Sequence, residues 1–312
     1  MKFGVREICD VVFKAKSAGQ LGKYSYDIGQ PVLYIDSAKT STMEGSATTV
    51  YATGGKGNNR LIAWEGEKTL TFTVEDALLS PMGLSILAGA GLLDATDKHV
   101  VHVHSTAITT MKVQSNTAGK YIIDLTDKLE GLGEIDSSAP VFVMLVDADN
   151  TITGDFVQGF TLETGNKKLS ATNATLKSGK ALENKNYNVF VDFYVEKKEG
   201  VQEIVIEEGT FGGNFYVEAS TLFRRQSDGA DLAAELVFPN VKIQSNFSFS
   251  MSSTGDPSTF NFTMDAFPGK TLFDHTKKVL CAIQIVDETV VQDAVRNVDD
   301  SLITTNDHVT GI

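Results

Sequence analysis

The sequence contains only two cysteines, Cys9 and Cys281, and they lie far apart in a chain of 312 residues. A disulfide framework needs several cysteines at short spacings, so the sequence does not predict one. We expect both residues to be free, buried thiols in a protein made in a reducing cytoplasm. Neither belongs to a motif that would activate a thiol for catalysis.

Proline is also scarce, with 6 residues against 27 glycines. Few prolines leave strand ladders uninterrupted, and many glycines suit tight turns. Hydrophobic residues make up 42% of the chain, which is enough to build a core. The length suits two modest domains or one large β domain.

Positive charge is in deficit, since 27 Lys and Arg face 40 Asp and Glu and give a formal charge of −13. Such a chain lacks the cationic face that holds DNA by its phosphates. The longest apolar stretch, residues 78–93, is too short to span a bilayer and is broken by Pro81 and three glycines. The charged N-terminus predicts no secretion signal.

Apolar and polar residues alternate along much of the chain, which favours a mainly β fold. Residues 62–74 show the pattern most clearly and predict a half-exposed strand. One helix is predicted over residues 75–89, with a start nearer Ser80 because Pro81 suits a first turn. Further strands are predicted at 3–16, 32–35, 99–104, 110–114, 121–124, 141–146, 187–195, 204–207, 215–223, 232–238, 241–251, 260–267 and 280–286.

Residues 37–60 are rich in Thr, Ser, Gly and Asn and end in GGKGNN. We predict a long loop here, with a short strand through residues 49–51, and loops of this length tend to be functional. Residues 106–200 differ in composition and predict an inserted β-sandwich.

The strands at 241–251 and 260–267 predict a hairpin with one apolar and one polar face. Asn261, Thr263 and Asp265 share the polar face of the second strand, which carries no Lys or Arg. Exposed sheet faces usually mix charges of both signs. A wet inner wall of an assembly and an ordinary solvated face both fit this pattern.

Three stretches resemble the tail tube (major tail) proteins of long-tailed bacteriophages. FGVREICDVVFKAK at residues 3–16 is similar to their opening strand. Residues 52–80, from ATGGKGNN to EDALLS, are similar to their loop, strand and helix start. Residues 212–269, which include RRQSDG and GDPSTF, are similar to their terminal strands.

The resemblance implies a tail-tube-like β-sandwich or barrel with one flanking helix, formed by residues 1–105 and 201–286. If residues 106–200 are an insertion, they would decorate the outer surface; the alternative is that they belong partly to the core. Residues 287–312 would form a C-terminal tail. Six such subunits would form a ring, and rings would stack into a DNA-conducting tube. DNA would pass without specific binding, and no membrane is involved. The other partners would be tape measure, terminator or sheath proteins, in a virion tail assembled in the host cytoplasm.

The resemblance also implies roles for particular residues. The loop at 37–59 would reach the next ring, and the polar strand faces would line the lumen or an interface. The predicted inter-ring loop residues are Glu44, Gly54, Gly55, Lys56 and Asn58. The predicted lumen or interface residues are Glu65, Glu67, Ser248, Ser250, Asn261, Thr263 and Asp265.

Other patterns predict no enzyme, no cofactor and no metal site. His102 and His104 have a spacing that can bind metal, but no third ligand is evident nearby. Asp147–Asn150 lacks the glycine and glutamate of a calcium loop and predicts a hairpin turn. Arg224 and Arg225 predict a charged hairpin, and Trp64 a core or interface position. The alternatives are a carbohydrate- or surface-binding β-sandwich of a baseplate or fibre and, less favoured, a β-sandwich hydrolase.

Overall fold

The computed structural model describes residues 2–114, 120–248, 253–254 and 258–286. They divide into two compact units. The first unit comprises the described parts of Met1–Leu92 and Ile204–Ile312, and the second those of Leu93–Glu203. The chain leaves the first unit and returns to it through two paired strands, β8 (Gly91–Asp94) and β15 (Gln202–Val205).

The first unit is built on a large antiparallel sheet with the strand order β5-β2-β16-β17-β18-β7-β6. β1 adds to β16, and β19 adds to β17. β3 and β4 form a separate small ladder. The bounds are β1 Phe3–Val5, β2 Asp10–Ala15, β3 Gly19–Leu21, β4 Tyr24–Tyr26, β5 Pro31–Ile35, β6 Ala38–Gly54, β7 Asn59–Asp76, β16 Asn214–Arg225, β17 Asp231–Ile243, β18 Phe260–Ala266 and β19 Ala282–Ile285.

One face of this sheet forms the core of the first unit, because every second residue of its central strands is apolar and buried. Phe72 of β7 stacks on Phe238 of β17 with ring centroids 4.9 Å apart. The helix α1 (Pro81–Ala88) packs Ile86 and Leu87 into the same cluster. No helix within the described residues is long and apolar enough to cross a membrane.

The helix begins where its capping residues place it, and the predicted start at 75 is wrong while Ser80 is confirmed. The Ser80 hydroxyl accepts a hydrogen bond from the backbone N–H of Gly83, and Pro81 fills the first turn. Gly89 ends the helix in a left-handed conformation. Glu75 and Asp76, predicted in the helix, are the last residues of β7.

The second unit is a closed six-stranded barrel with the order β10-β13-β12-β11-β14-β9. Its interior is a separate apolar cluster that includes Met111, Tyr121, Val191 and Phe193, each fully buried. The unit also contains a 3-10 helix, Thr126–Lys128. The strand bounds are β9 Val101–Val113, β10 Tyr121–Asp124, β11 Phe142–Val146, β12 Ile152–Leu162, β13 Lys168–Leu176 and β14 Tyr187–Lys197.

The predicted mainly β class is confirmed, and the inserted strands close into a barrel where a sandwich was expected. The predicted boundary at 105/106 falls inside β9. This strand takes in two predicted strands and pairs with β14 without interruption from Val101 to Met111. That continuous ladder places residues 101–105 in the second unit.

The predicted loop at 37–60 is wrong, because 38–54 is one long strand, β6, paired with β7. The predicted hairpin of 241–251 with 260–267 is confirmed only at its base. β17 runs unbroken from Asp231 to Ile243, residues 241–243 pair with β18, and the Gln244 N–H donates to the Thr263 carbonyl. Residues 249–251 of the predicted strand lie outside the described residues.

Candidate assembly interface

The hairpin of β6 and β7 projects beyond the rest of the sheet. β18 pairs with β7 only from Asp76 to Thr71. Residues 45–54 and 59–70 therefore continue as a two-stranded ribbon, here called the arm. Ten residues of strand extend the arm by roughly 33 Å. Within the described residues, neither edge of the arm has a partner strand, so both present unpaired backbone groups.

The tip of the arm is a four-residue turn, which contains three of the predicted inter-ring residues. Gly55 has a φ of 79° and Asn58 a φ of 51°, and the Asn58 N–H donates to the Gly55 carbonyl. Lys56 lies between them, and Gly54 is the last residue of β6. Glu44 lies at the foot of the arm, opposite Thr71, and is separate from this group.

The arm exposes large apolar side chains to solvent. Val50 is 63% exposed, Ile62 55% and Trp64 53%. Trp64 lies outside the core, so the predicted core position is wrong and the predicted interface position stays a prediction. A single two-stranded ribbon is marginally stable in water, and a contiguous apolar patch of this kind usually marks an interaction site.

The sheet face opposite the helix is a continuous polar surface across β18, β7 and β6. Asp265 lies opposite Thr71, and the Thr71 hydroxyl donates to its carboxylate at 3.2 Å. The hydroxyls of Thr73 and Thr263 are 3.3 Å apart. Asn261 continues the same row. Three of the predicted lumen or interface residues therefore lie together.

Two further polar residues of this face, Glu75 and Gln244, were missed by the sequence analysis. Hydrogen bonds from the hydroxyls of Thr259 and Thr40 lower the pKa of Glu75. The amide of Gln244 donates to both oxygens of Asp265 at 3.1 Å. The alternation of 62–74 extends to position 75 and could have revealed Glu75, which was instead assigned to the helix.

The other predicted lumen residues do not join this row. The pairing of β6 with β7 shifts between Ala47 and Thr49, so that Glu65 lies opposite Thr49 and on the core side of the sheet. Glu67 falls within the shift itself. Ser248 is exposed and outside any strand, and Ser250 lies outside the described residues.

The histidines considered as metal ligands each face a separate carboxylate. Nδ1 of His102 is 2.6 Å from Asp136, and Nε2 of His104 is 3.1 Å from Asp192. Within the described parts of the chain, no group of three or more His, Cys, Asp or Glu is placed to hold a metal ion. Asp147 is a turn residue as predicted, since its carboxylate accepts from two backbone N–H groups of the β11–β12 turn.

Both cysteines are free thiols, as predicted, with Cys9 buried and Cys281 half-buried. Burial raises the pKa of the Cys9 thiol. Hydrogen bonds with Ser41 and Thr221 act to lower this pKa and offset the rise only in part. Burial also raises the pKa of Cys281, to about 11. A thiol with a raised pKa is a poor nucleophile near neutral pH.

Charged side chains close the β16–β17 hairpin as predicted. Arg224 binds Asp231 through two hydrogen bonds of 2.6 and 2.7 Å, and Arg225 binds Asp228. An open groove of about 730 Å³ lies beside the 3-10 helix of the second unit. None of its described lining residues is aromatic, and they carry charges of both signs.

The sequence was compared with known families and proteins. The model of the YomU/Tube protein family matches residues 4–123 and 143–279, which is most of the chain. No curated protein matches the sequence.

Proposed function

The chain belongs to the YomU/Tube protein family, and on this premise we propose that it is a structural subunit of a phage tail tube. Copies of the subunit form rings, six to a ring, and the rings stack around a channel that conducts DNA. The subunit performs no reaction, and its main partner is itself. It meets tape measure, terminator or sheath proteins in the virion tail after assembly in the host cytoplasm.

The observation that carries this proposal is the unpartnered arm of β6 and β7. Within the described residues its strands have no partner on their outer edges, and its apolar side chains Val50, Ile62 and Trp64 are more than half exposed. Proteins that stay monomeric usually blunt such edges. A contact that joins one surface to a different surface of the next copy builds an open stack, and the arm supplies one of the two surfaces.

The polar face around Asp265 suits the wall of the channel. Hydroxyl and amide side chains keep the wall wet, and Glu44, Glu75 and Asp265 make it acidic across three neighbouring strands. Lys242 stands opposite Asp265, and Lys39 lies near enough to Glu75 to help lower its pKa, so this face also carries cations. An acidic wall repels the phosphate backbone, so DNA slides through without binding.

Electron microscopy of the purified chain over a range of concentrations and salt tests the proposal. We expect rings or hollow tubes under some of these conditions. A chain that remains monomeric throughout, alone and with its tail partners, would contradict assembly. Monomers that bind glycans would instead favour the baseplate or fibre module.

Reversal of one wall charge tests the position of the channel. We expect Asp265→Lys to form tubes that retain double-stranded DNA at low salt, because the variant places a cation in the wall. Asp27→Lys is the matched control, since Asp27 is exposed in the turn before β5. Equal DNA retention by both variants would place Asp265 outside the channel.

A further inference from the structure

The pairing of β6 with β7 is irregular at the foot of the arm. It runs residue by residue from Thr40–Glu75 to Ala47–Lys68 and resumes at Thr49–Glu65. Thr48 alone therefore faces two residues, Gly66 and Glu67. This is a β-bulge, with one extra residue on β7.

The bulge decides which side chains share a face of the arm. Side chains alternate along a strand, so one extra residue moves everything beyond it on β7 to the opposite face. Trp64 therefore lies on the same face as Thr71 and Thr73. On that face it is the cross-strand neighbour of Val50. Without the bulge Trp64 would share the face of Phe72, because the two positions are an even number of residues apart.

Between the bulge and the tip, one face of the arm is apolar and the other carries charges beside Tyr51 and Ala63. Leu61, which is 65% exposed, falls in a second register shift between Ala52 and Thr53. By register, the apolar face comprises Thr48, Val50, Ala52, Ile62 and Trp64. The opposite face holds Glu65 and Arg60, and the Arg60 guanidinium lies 4.0 Å from the centre of the Tyr51 ring. The exposed parts of Val50, Ile62 and Trp64 amount to an apolar patch on the order of 300 Å².

Gly66 allows the close approach of the two strands at the bulge. A Cβ at position 66 would lie 2.5 Å from the hydroxyl oxygen of Thr48. A larger residue would displace the Thr48 side chain, whereas its Cβ would lie at an ordinary 3.5 Å from the Thr48 carbonyl oxygen.

We infer that the Gly66–Glu67 bulge directs the apolar face of the arm to the polar side of the sheet, and that a second copy of this chain covers it there. The inference rests on the proposed function and adds which face of the arm makes the contact. The apolar face meets the row of Thr71, Thr73 and Asp265 at the bulge, where Glu67 also faces Thr48, so it adjoins the proposed channel wall. The free strand edges on both sides of the arm suit a partner built from the same kind of strand.

Two variants of the full-length chain distinguish the effect of which face the arm presents from the effect of the bulge itself. Deletion of Glu67 restores regular pairing and leaves Trp64 and Val50 on their present face. An alanine inserted between Thr48 and Thr49 also restores regular pairing, but it turns the outer arm over with its cross-strand pairs intact. Sedimentation of each variant gives the concentration at which half of the chains assemble.

We expect the deletion to change this concentration less than about threefold and the insertion to raise it at least about tenfold, because it presents the charged face to the partner. Similar half-assembly concentrations for the two variants, whether high or low, would overturn the inference. If the wild-type chain forms no rings or tubes at all, the proposed function fails first, so the two failures are distinct.

A pair of neighbouring substitutions provides an independent test that leaves the backbone unchanged. Ile62→Glu places an acid on the apolar face, and Ala63→Glu places the same acid on the opposite face, at an equally exposed position. We expect Ile62→Glu to raise the half-assembly concentration at least about tenfold and Ala63→Glu less than about threefold. A stronger effect of Ala63→Glu would show that the other face makes the contact.

Discussion

The two units of this chain differ in whether their outermost strands are paired on both sides. The second unit closes six strands into a barrel, so every strand is paired on both sides. The first unit leaves its sheet open at β5 and β6 and extends β6 and β7 into an arm. A closed barrel offers no edge for another strand, whereas an open sheet offers two. The difference agrees with the proposal that the first unit carries the assembly contacts.

The strongest test of this comparison removes one large core side chain from each unit. Phe72 and Phe193 are both essentially buried, one under the sheet and one inside the barrel. We expect Phe72→Ala and Phe193→Ala each to destabilise its own unit by about 3–5 kcal/mol, through lost contacts and a cavity. Calorimetry should show a shift in one unfolding transition only.

Assembly should separate these two variants. Phe72 lies at the foot of the arm, so Phe72→Ala should prevent ring formation, whereas Phe193→Ala should leave ring formation intact. Loss of assembly in Phe193→Ala, with the sheet transition unchanged, would mean that the barrel carries the contact.

Substitution of glycines that lie close to another backbone segment should produce a smaller effect. Gly89 and Gly159 both have positive φ, and a Cβ would lie 2.3 Å from the Phe211 carbonyl carbon and 2.9 Å from the Asn173 oxygen, respectively. We expect Gly89→Ala and Gly159→Ala to lower the free energy of unfolding of the sheet and the barrel by about 1–3 kcal/mol.

Gly165→Ala is the control for the glycine pair. Gly165 also has a positive φ, but its Cβ would meet nothing within 4 Å. Chemical denaturation should therefore show a smaller loss, about 1 kcal/mol. An equal loss in all three variants would mean that backbone strain alone is decisive.

Acid should weaken the barrel slightly through Asp124. A hydrogen bond from Lys168, with others from Thr126, lowers the pKa of Asp124 to about 2. A carboxyl with a lowered pKa stabilises the fold above its ordinary pKa, and this contribution is lost as the pH falls from about 4 towards 2. Water screens the pair, so the loss should stay below about 1 kcal/mol.

The Asp124→Asn variant tests this assignment. Urea denaturation at pH 7, 4 and 2.5 should show a smaller pH dependence of the barrel transition in the variant than in the wild type. An unchanged pH dependence would attribute the acid sensitivity of the barrel to other carboxyls.

The strands that were predicted well have one buried face. Residues 187–195 alternate in the barrel as the pattern requires, and Asn261, Thr263 and Asp265 occupy the polar face predicted for them. Burial of one face makes apolar and polar residues alternate along the strand, so such strands can be predicted from the sequence.

The parts that were missed have no such signal. Both faces of the outer half of β6 are exposed, so its Thr, Ser and Gly residues read as a loop. The bulge at Gly66 moved Glu65 off the predicted face and Trp64 onto it, and a period of two cannot show an extra residue. Strand pairing across β6 and β7 was needed to place both.

Hydrogen exchange of the assembled and unassembled chain, measured peptide by peptide, tests the central claim most directly. We expect backbone amides of the arm, residues 45–54 and 59–70, to become protected on assembly because the arm's edges acquire partners. We expect amides of the barrel strands to keep the same exchange rates. Protection gained in the barrel, with the arm unchanged, would contradict assembly through the open sheet.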